Sequence, residues 1–191
     1  MVEAFEQIVG KYLELQGYWV KHTVRLNMSP EEKAALTSEV PDARKRSRPR
    51  PEVDLVAFSP KKNELLVVEV KSFFNSAGVD FLSLTNQGSK HGDRYKLFNN
   101  DRYQKVILSR LTEQLSQEGL VIDGARLNVL VCLAVGHFKS PDDEGKTKAL
   151  FQMKGWVLVT PGELKNFFES LATTHYEDNV MIVLSKLIHN N

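Results

Sequence analysis

Two β-rich runs joined by a short polar segment constrain this chain more than any other feature. Residues 53–58 and 64–71 are rich in Val and Leu, and the five residues between them, Ser-Pro-Lys-Lys-Asn, have the composition of a turn. The pattern predicts an antiparallel hairpin. Three ionisable residues, Asp54, Glu69 and Lys71, lie inside these otherwise apolar runs. Charged groups in strands that favour burial require a structural or functional explanation.

The expected register of the hairpin brings the three charged residues together. Side chains alternate faces along a strand, so Glu69 and Lys71 project from the same side. If the hairpin is centred between Lys61 and Lys62, residues equally far from that centre pair, which places Asp54 across from Glu69. The sequence therefore predicts a patch of two carboxylates and one ammonium group.

Such a patch suits a metal site that handles phosphate. Neighbouring carboxylates repel each other unless a cation joins them, and Mg²⁺ typically takes one or two carboxylates while keeping several waters. A lysine beside the ion can orient or activate a water, or neutralise charge that develops on the phosphate. A simple ion pair or an exposed strand edge is equally compatible with the spacing.

These residues resemble the motif of the PD-(D/E)XK nuclease superfamily, the restriction-endonuclease-like phosphodiesterases. Asp54 is followed, after 14 intervening residues, by Glu69-Val70-Lys71, and Glu6 lies 11 residues before Gly17, the predicted end of the first helix. The motifs cover residues 3–72, and the order helix, strand, hairpin, helix, strand extends the resemblance to about residue 135.

The resemblance implies an α/β fold with a central mixed β-sheet flanked by helices. It implies a DNA endonuclease of restriction or repair type that uses Mg²⁺, for which Mn²⁺ can substitute. Asp54, Glu69 and the Val70 carbonyl would bind the metal, Lys71 would orient or activate water, and Glu6 would support the metal or its water.

Two positions depart from the family pattern. The proline that usually adjoins the aspartate is displaced to position 51, which leaves Glu52 as an alternative first acid on the same face as Asp54. Gln104 is followed four residues later by Leu108, where recombination-type members have tyrosine, which argues against an exonuclease of that type. Gln104 still lies in the right region to face a backbone phosphate together with Arg102 and Lys105, although an ordinary exposed helix face is the better explanation of these residues.

The positive charge of the chain is concentrated in one segment. The net charge is only +1, but residues 43–50 contain five basic residues and no acid, leaving 20 basic and 24 acidic residues elsewhere. The flanking prolines predict an extended loop rather than a helix. A charge run of this kind is most often an ordinary solvated loop. Beside a nuclease site, however, the loop is expected to bind the DNA backbone through its cations, which are Arg44, Lys45, Arg46, Arg48 and Arg50.

Periodicity and cap signals predict the remaining elements of a single domain over residues 1–191, with its core at about 3–135 and a C-terminal strand and helices in 136–191. Residues 72–100 are expected to form an irregular insertion in which Tyr95 and Phe98 can stack on bases or anchor the loop. Helices are expected over 2–16, from 30 to about 38, 103–119, 164–171 and 180–188, strands over 18–24, 127–135 and 156–159, and a polar turn over 140–146.

The composition excludes several classes of protein. The longest apolar run is only seven residues, far short of the roughly 20 that a membrane helix requires. Acidic residues stand near the start where a secretory signal would be basic, so a cytoplasmic location is expected. DNA is the expected partner, and a homodimer would allow both strands to be cut. The rival functions are a non-catalytic nucleic-acid-binding or scaffolding module and an RNA-directed nuclease.

Overall fold

A five-stranded mixed sheet forms the centre of the protein. The computed structural model describes residues 3–37, 51–120, 127–173, 175 and 179–189. The strands lie in sequence order across the sheet, with β2 antiparallel to both β1 and β3, and with β3, β4 and β5 parallel. Their bounds are β1 Trp19–Arg25, β2 Glu52–Ser59, β3 Glu64–Lys71, β4 Asn128–Val135 and β5 Val157–Val159.

Helices cover both faces of this sheet, so the predicted α/β class with a mixed sheet flanked by helices is confirmed. On one face α1 and α7 pack against alternate residues of β2, β3 and β4. On the other face α5, α6 and the segment 79–98 enclose a second core. The helices are α1 Ala4–Leu15, α2 Pro30–Thr37, α3 Phe81–Thr85, α4 Lys96–Asn99, α5 Asp101–Gln117, α6 Pro141–Lys154, α7 Pro161–Thr173 and α8 Val180–His189, with a 3₁₀ turn at Gly92–Tyr95.

The hairpin of β2 and β3 has the register expected from its turn. Leu55 pairs with Val68, and the ladder continues in step to Ser59 and Glu64. The centre of the hairpin therefore lies between Lys61 and Lys62, as predicted. This register determines which charged residues meet at the open end of the hairpin.

Local signals explain where the helices begin. At α2, the Ser29 N–H donates to Glu32 and the Ser29 hydroxyl accepts from the Glu32 N–H, a reciprocal capping box that confirms the expected start of this helix. Thr160 and Glu163 form the second expected capping box at α7. The other predicted helices and strands are also present, and their ends differ from the predicted bounds by up to about three residues.

The predicted polar turn over residues 140–146 is wrong, because this segment begins the 14-residue helix α6. The Ser140 hydroxyl caps the helix by accepting from the Asp143 N–H, and Pro141 occupies its first turn. Only Thr147 and Phe151 of this helix are buried. A helix that is mostly exposed lacks the apolar periodicity on which the sequence analysis relied.

The irregular insertion contains short helical pieces that pack in the second core, on the α5 side of the sheet. The Asp143 carboxylate accepts from the Phe81 N–H at 2.9 Å and so joins α3 to the start of α6. Within the insertion Tyr95 and Phe98 are buried in the core, so both anchor the segment rather than offering a surface to a base. None of the described helices is long and apolar enough to cross a membrane.

Candidate active site

The charged residues of the hairpin meet at one end of the sheet. Asp54 lies near the start of β2, and Glu69 and Lys71 lie at the end of β3. Extending the observed ladder beyond Leu55 and Val68 places Asp54 opposite Glu69. The Asp54 Oδ2 atom accepts a hydrogen bond of 2.7 Å from the Val70 N–H, so this carboxylate also fixes the end of β3.

Lys71 forms an ion pair with Glu69. Its ammonium group contacts the Glu69 Oε1 atom, and both side chains are mostly buried, with 17% and 22% of their surfaces exposed respectively. This geometry confirms that the two residues share a face of β3. Lys71 can balance one negative charge, whereas Asp54 and Glu69 carry two when both are ionised.

Burial is the largest influence on the carboxylates, and it raises the pKa of both Asp54 and Glu69 above their ordinary values. The Val70 N–H and the Lys71 ammonium favour the ionised form of Asp54, but they do not reverse its pKa shift. The charge of Asp54 raises the pKa of Glu69 further, against the attraction of Lys71. The pair is therefore short of positive charge.

A third carboxylate comes from α1. Glu6 lies in the first turn of this helix, where its side chain accepts from the Glu3 N–H in a capping box. Burial raises the pKa of Glu6, and the charge of Asp54 raises it further. Buried Phe5 and Val9 pack α1 against the sheet, so the helix that ends near Gly17 delivers Glu6 to the neighbourhood of Asp54.

The β-ladder is distorted directly beside Asp54. Thr23 of β1, which lies opposite Asp54, has φ of 55°, and the regular pairs on either side are His22 with Leu55 and Val24 with Val53. A left-handed conformation is costly for a β-branched residue. Strain of this kind is concentrated at functional sites, where the surrounding structure supports it.

Two tyrosines lie near Glu69 on the α5 side of the sheet, the side to which the alternation of β3 also directs Glu69. Burial raises the pKa of Tyr103 to about 12, with a further contribution from the charge of Glu69. Burial likewise raises the pKa of Tyr95, with smaller contributions from Asp80 and Glu69. The position of Tyr103 at the start of the periodic pattern of α5 was visible in the sequence, but its proximity to Glu69 was not.

The donor set fits a hard divalent cation with few protein ligands. Within the described ranges, no three His, Cys, Asp or Glu side chains form a ready-made metal-binding group. Asp54 and Glu69 nevertheless supply two adjacent carboxylates of raised pKa, the number that Mg²⁺ usually takes from a protein. Glu6 adds a third carboxylate, which repels both Asp54 and Glu69, so an added cation would relieve the repulsion among the three.

Glu52, the alternative first acid, has a different environment. Its carboxylate accepts from Arg25 Nε at 3.1 Å, and both side chains are exposed. Asp54, by contrast, is partly buried and bonded to the backbone beside Glu69. The arrangement favours Asp54 over Glu52 as the partner of Glu69.

The structure describes only some of the residues that were predicted to contact DNA. The Gln104 side chain donates to the Leu97 carbonyl at 2.7 Å and so holds α4 against α5. Arg102 and Lys105 are exposed on α5. The five basic residues of segment 43–50 lie outside the described residues.

Comparisons of this chain with protein-family models, with curated proteins and with solved structures find no match. No relative therefore supplies a function or a ligand. The chemistry of the site is indicated by the cluster of Glu6, Asp54, Glu69 and Lys71 and by the motif that these residues form.

Proposed function

We propose that this protein is a DNA endonuclease that hydrolyses phosphodiester bonds with a divalent metal ion. The observation that supports this function best is the placement of Asp54 beside Glu69, with Lys71 bonded to Glu69, at a mostly buried sheet end. A purely structural ion pair would need one carboxylate for one ammonium group. Here the carboxylates outnumber the ammonium group, and burial raises the pKa of all three carboxyl groups.

Each residue of the cluster has a defined task in this proposal. Asp54, Glu69 and the Val70 carbonyl would hold Mg²⁺ or Mn²⁺, and Glu6 would support the ion or its water. When bound, such an ion lowers the pKa of a coordinated water and offsets charge on the phosphate. Lys71 orients the attacking water or neutralises charge on the phosphate, because its ammonium group already lies against Glu69.

Two further observations support the nuclease function. The elements follow the order helix, strand, hairpin, helix, strand that the motif resemblance implies, with α2 and the insertion added between them. The backbone at Thr23, which lies opposite Asp54, adopts a strained left-handed conformation.

Residues 43–50 would add sequence-independent affinity for the DNA backbone. A homodimer would place one active site on each of the two DNA strands.

A cleavage assay tests the proposed function. Supercoiled plasmid, single-stranded DNA, branched DNA and RNA would be incubated with the protein in Mg²⁺, Mn²⁺ or EDTA. We expect metal-dependent DNA cleavage that Asp54→Ala and Lys71→Ala each abolish. Lys21→Ala is the matched control, since Lys21 also pairs with a glutamate, Glu118, but on the exposed surface of β1.

The outcomes separate the proposed nuclease from its rivals. Cleavage of RNA alone would replace DNA with RNA as the substrate. Salt-sensitive DNA binding without cleavage in either metal would favour a non-catalytic binding module. The ion pair between Lys71 and Glu69 is compatible with such a module as well. Cleavage that persists in Lys71→Ala would contradict the role of this cluster.

The role of the basic segment has a separate test. Replacing Arg44, Lys45, Arg46, Arg48 and Arg50 with glutamine is expected to weaken DNA binding on all sequences and to flatten its dependence on salt, because fewer counterions are released. Binding would be measured over a series of salt concentrations, and sedimentation would report whether the protein is a dimer. An unchanged salt slope would show that the DNA backbone is bound elsewhere.

A further inference from the structure

An exposed aromatic residue follows the charged cluster closely along the chain. Phe74 follows Lys71 by three residues, and 63% of its surface is exposed although it is fully apolar. Three residues of chain span at most about 10 Å, so the Cα atom of Phe74 lies within that distance of the Cα atom of Lys71. A ring exposed in this way is accessible to a bound ligand.

The inner side of the Phe74 ring is held firmly. Its centroid lies 5.2 Å from that of Phe5 at an interplanar angle of 85°, an edge-to-face contact. A Cβ atom at Gly136 would lie only 2.9 Å from the Phe74 ring and 2.5 Å from the Ser72 carbonyl oxygen, so the loop packs directly against a glycine. Phe74 is therefore an exposed side chain that packs on one side against Phe5 and Gly136.

The backbone before Phe74 is strained in a way that separates two adjacent rings. Phe73 has φ of 50°, a conformation that bulky residues rarely adopt. Its ring packs against the core on the α5 side, with the guanidinium of Arg94 over it at 5.9 Å. The next ring, that of Phe74, contacts Phe5 of α1 instead. This turn directs one phenylalanine into the core and leaves the other at the surface.

The contact with Phe5 also relates Phe74 to the acidic cluster. Phe5 directly precedes Glu6, whose carboxylate interacts with Asp54. The ring thus lies between the end of β3 and the start of α1, the two elements that supply Lys71 and Glu6. A nucleic acid with its phosphate at the cluster would bring a neighbouring base to this ring.

We propose that Phe74 is a stacking platform for an unpaired nucleobase next to the cleaved phosphate. This inference rests on the proposed nuclease function and deepens it by naming the substrate class. The faces of bases in a continuous duplex are covered by their neighbours, whereas a single-stranded or displaced base offers its face to an aromatic side chain. The preferred substrate is therefore DNA with single-stranded or locally unpaired nucleotides at the cut site.

Base removal tests the contact directly. Binding would be measured in the Lys71→Ala background, which prevents cleavage, with labelled single-stranded oligonucleotides that each lack one base. We expect one position at which base loss weakens binding by about 5- to 150-fold, the range for stacking on an aromatic residue. Phe74→Ala is expected to cause a similar loss on the intact strand and no further loss when that base is absent.

Matched variants distinguish stacking from general effects. Phe74→Tyr and Phe74→Trp are expected to retain the base-dependent binding, and Phe74→Leu is expected to lose it while keeping an apolar side chain on Phe5. Trp19→Ala is the control, because Trp19 is 69% exposed and also packs edge-to-face, on Phe58, but at the opposite end of β2 from Asp54. Circular dichroism would establish that each variant is folded.

The inference would be overturned if the two changes act independently. In that case, the loss of binding caused by Phe74→Ala would add to the loss caused by base removal at every position of the oligonucleotide. Equal weakening of duplex and single-stranded binding by Phe74→Ala would overturn it as well. Its failure is distinguishable from that of the nuclease function, since metal-dependent cleavage abolished by Asp54→Ala would then still stand. Base-dependent binding through Phe74 without any cleavage would support the platform and contradict the enzyme.

Discussion

Two partly buried aspartates, Asp54 and Asp143, have environments that shift their pKa values in opposite directions. Burial disfavours the ionised form of Asp143, but hydrogen bonds from the Phe81 N–H and the Ser140 hydroxyl outweigh it and lower the pKa of this carboxyl. Burial of Asp54 dominates instead, and its pKa is raised although the Val70 N–H donates to it. The fold supplies enough donors for one charge and too few for the other.

The difference reflects where the two residues lie. Asp143 is in the first turn of α6, where backbone N–H groups and the helix dipole favour a negative charge, and it joins this helix to α3. Asp54 lies on a strand beside Glu69 and shares the attraction of Lys71 with it. A buried carboxyl group whose pKa is raised beside other charges is a candidate functional group.

The largest expected difference between the two aspartates is in catalysis. Asp54→Asn keeps the shape of the side chain but removes its charge, so we expect DNA cleavage to fall by about 100- to 1,000-fold, the scale of losing one electrostatic group at a reacting centre. Asp143→Asn is expected to leave the cleavage rate unchanged. Single-turnover rates on plasmid DNA measure both, and equal losses would remove the distinction.

We expect Mg²⁺ binding to stabilise only one of the same two variants. Mg²⁺ that binds only the folded protein adds about 2.7 kcal/mol at one hundred times its Kd. We expect Mg²⁺ to raise the melting temperature of the wild type and of Asp143→Asn, and to have no effect on Asp54→Asn. A shift that survives in Asp54→Asn would place the cation elsewhere.

Removing the charge of Asp143 should destabilise the fold by about 1–2 kcal/mol, because charge-assisted hydrogen bonds and a favourable helix-dipole interaction are lost. Since the folded pKa is below the unfolded value, this stabilisation is present above about pH 4 and disappears as the pH falls through the folded pKa. Urea denaturation at several pH values measures the difference. An Asp143→Asn variant as stable as the wild type at pH 7 would contradict the capping role.

The smallest expected effect has the opposite sign. In EDTA, Asp54→Asn is expected to stabilise the protein by up to about 1 kcal/mol at pH 7, since the amide can still accept from Val70 and no charge is buried. The folded pKa of Asp54 is raised, so the penalty for ionising it is absent below about pH 4 and grows as the pH rises through the folded pKa. The gain should therefore vanish at low pH, and the same urea series reports it. A loss of stability at pH 7 would show that ionised Asp54 supports the fold.

Much of the fold and of the site geometry was predictable because short-range rules determine it. The hairpin register follows from a turn centred between Lys61 and Lys62, and the observed pairing of Leu55 with Val68 agrees with it. The caps at Ser29 and Thr160 were also visible as sequence patterns. Helix α6 was not, because its exposed surface leaves no apolar stripe and only the cap at Ser140 marks its start.

Other parts of the site depend on contacts between distant segments. The sequence offered Tyr95 and Phe98 as candidate stacking residues, but the structure buries both and exposes Phe74. Burial of this kind is decided by the packing of the insertion against α5 and α6. The side chain of Gln104 similarly holds the Leu97 carbonyl, a contact that its spacing from Leu108 could not reveal.

The sequence by itself determined the α/β class, the hairpin and the pairing of Asp54 with Glu69, because the period of two and the turn length act over a few residues. Only the tertiary structure decided how poorly the carboxylates are compensated, which tyrosines lie near Glu69 and which aromatic ring remains exposed beside the cluster. The physical reason is that the free energy of a buried charge or an exposed ring depends on neighbours from α1, α5 and Gly136, which are far away along the chain.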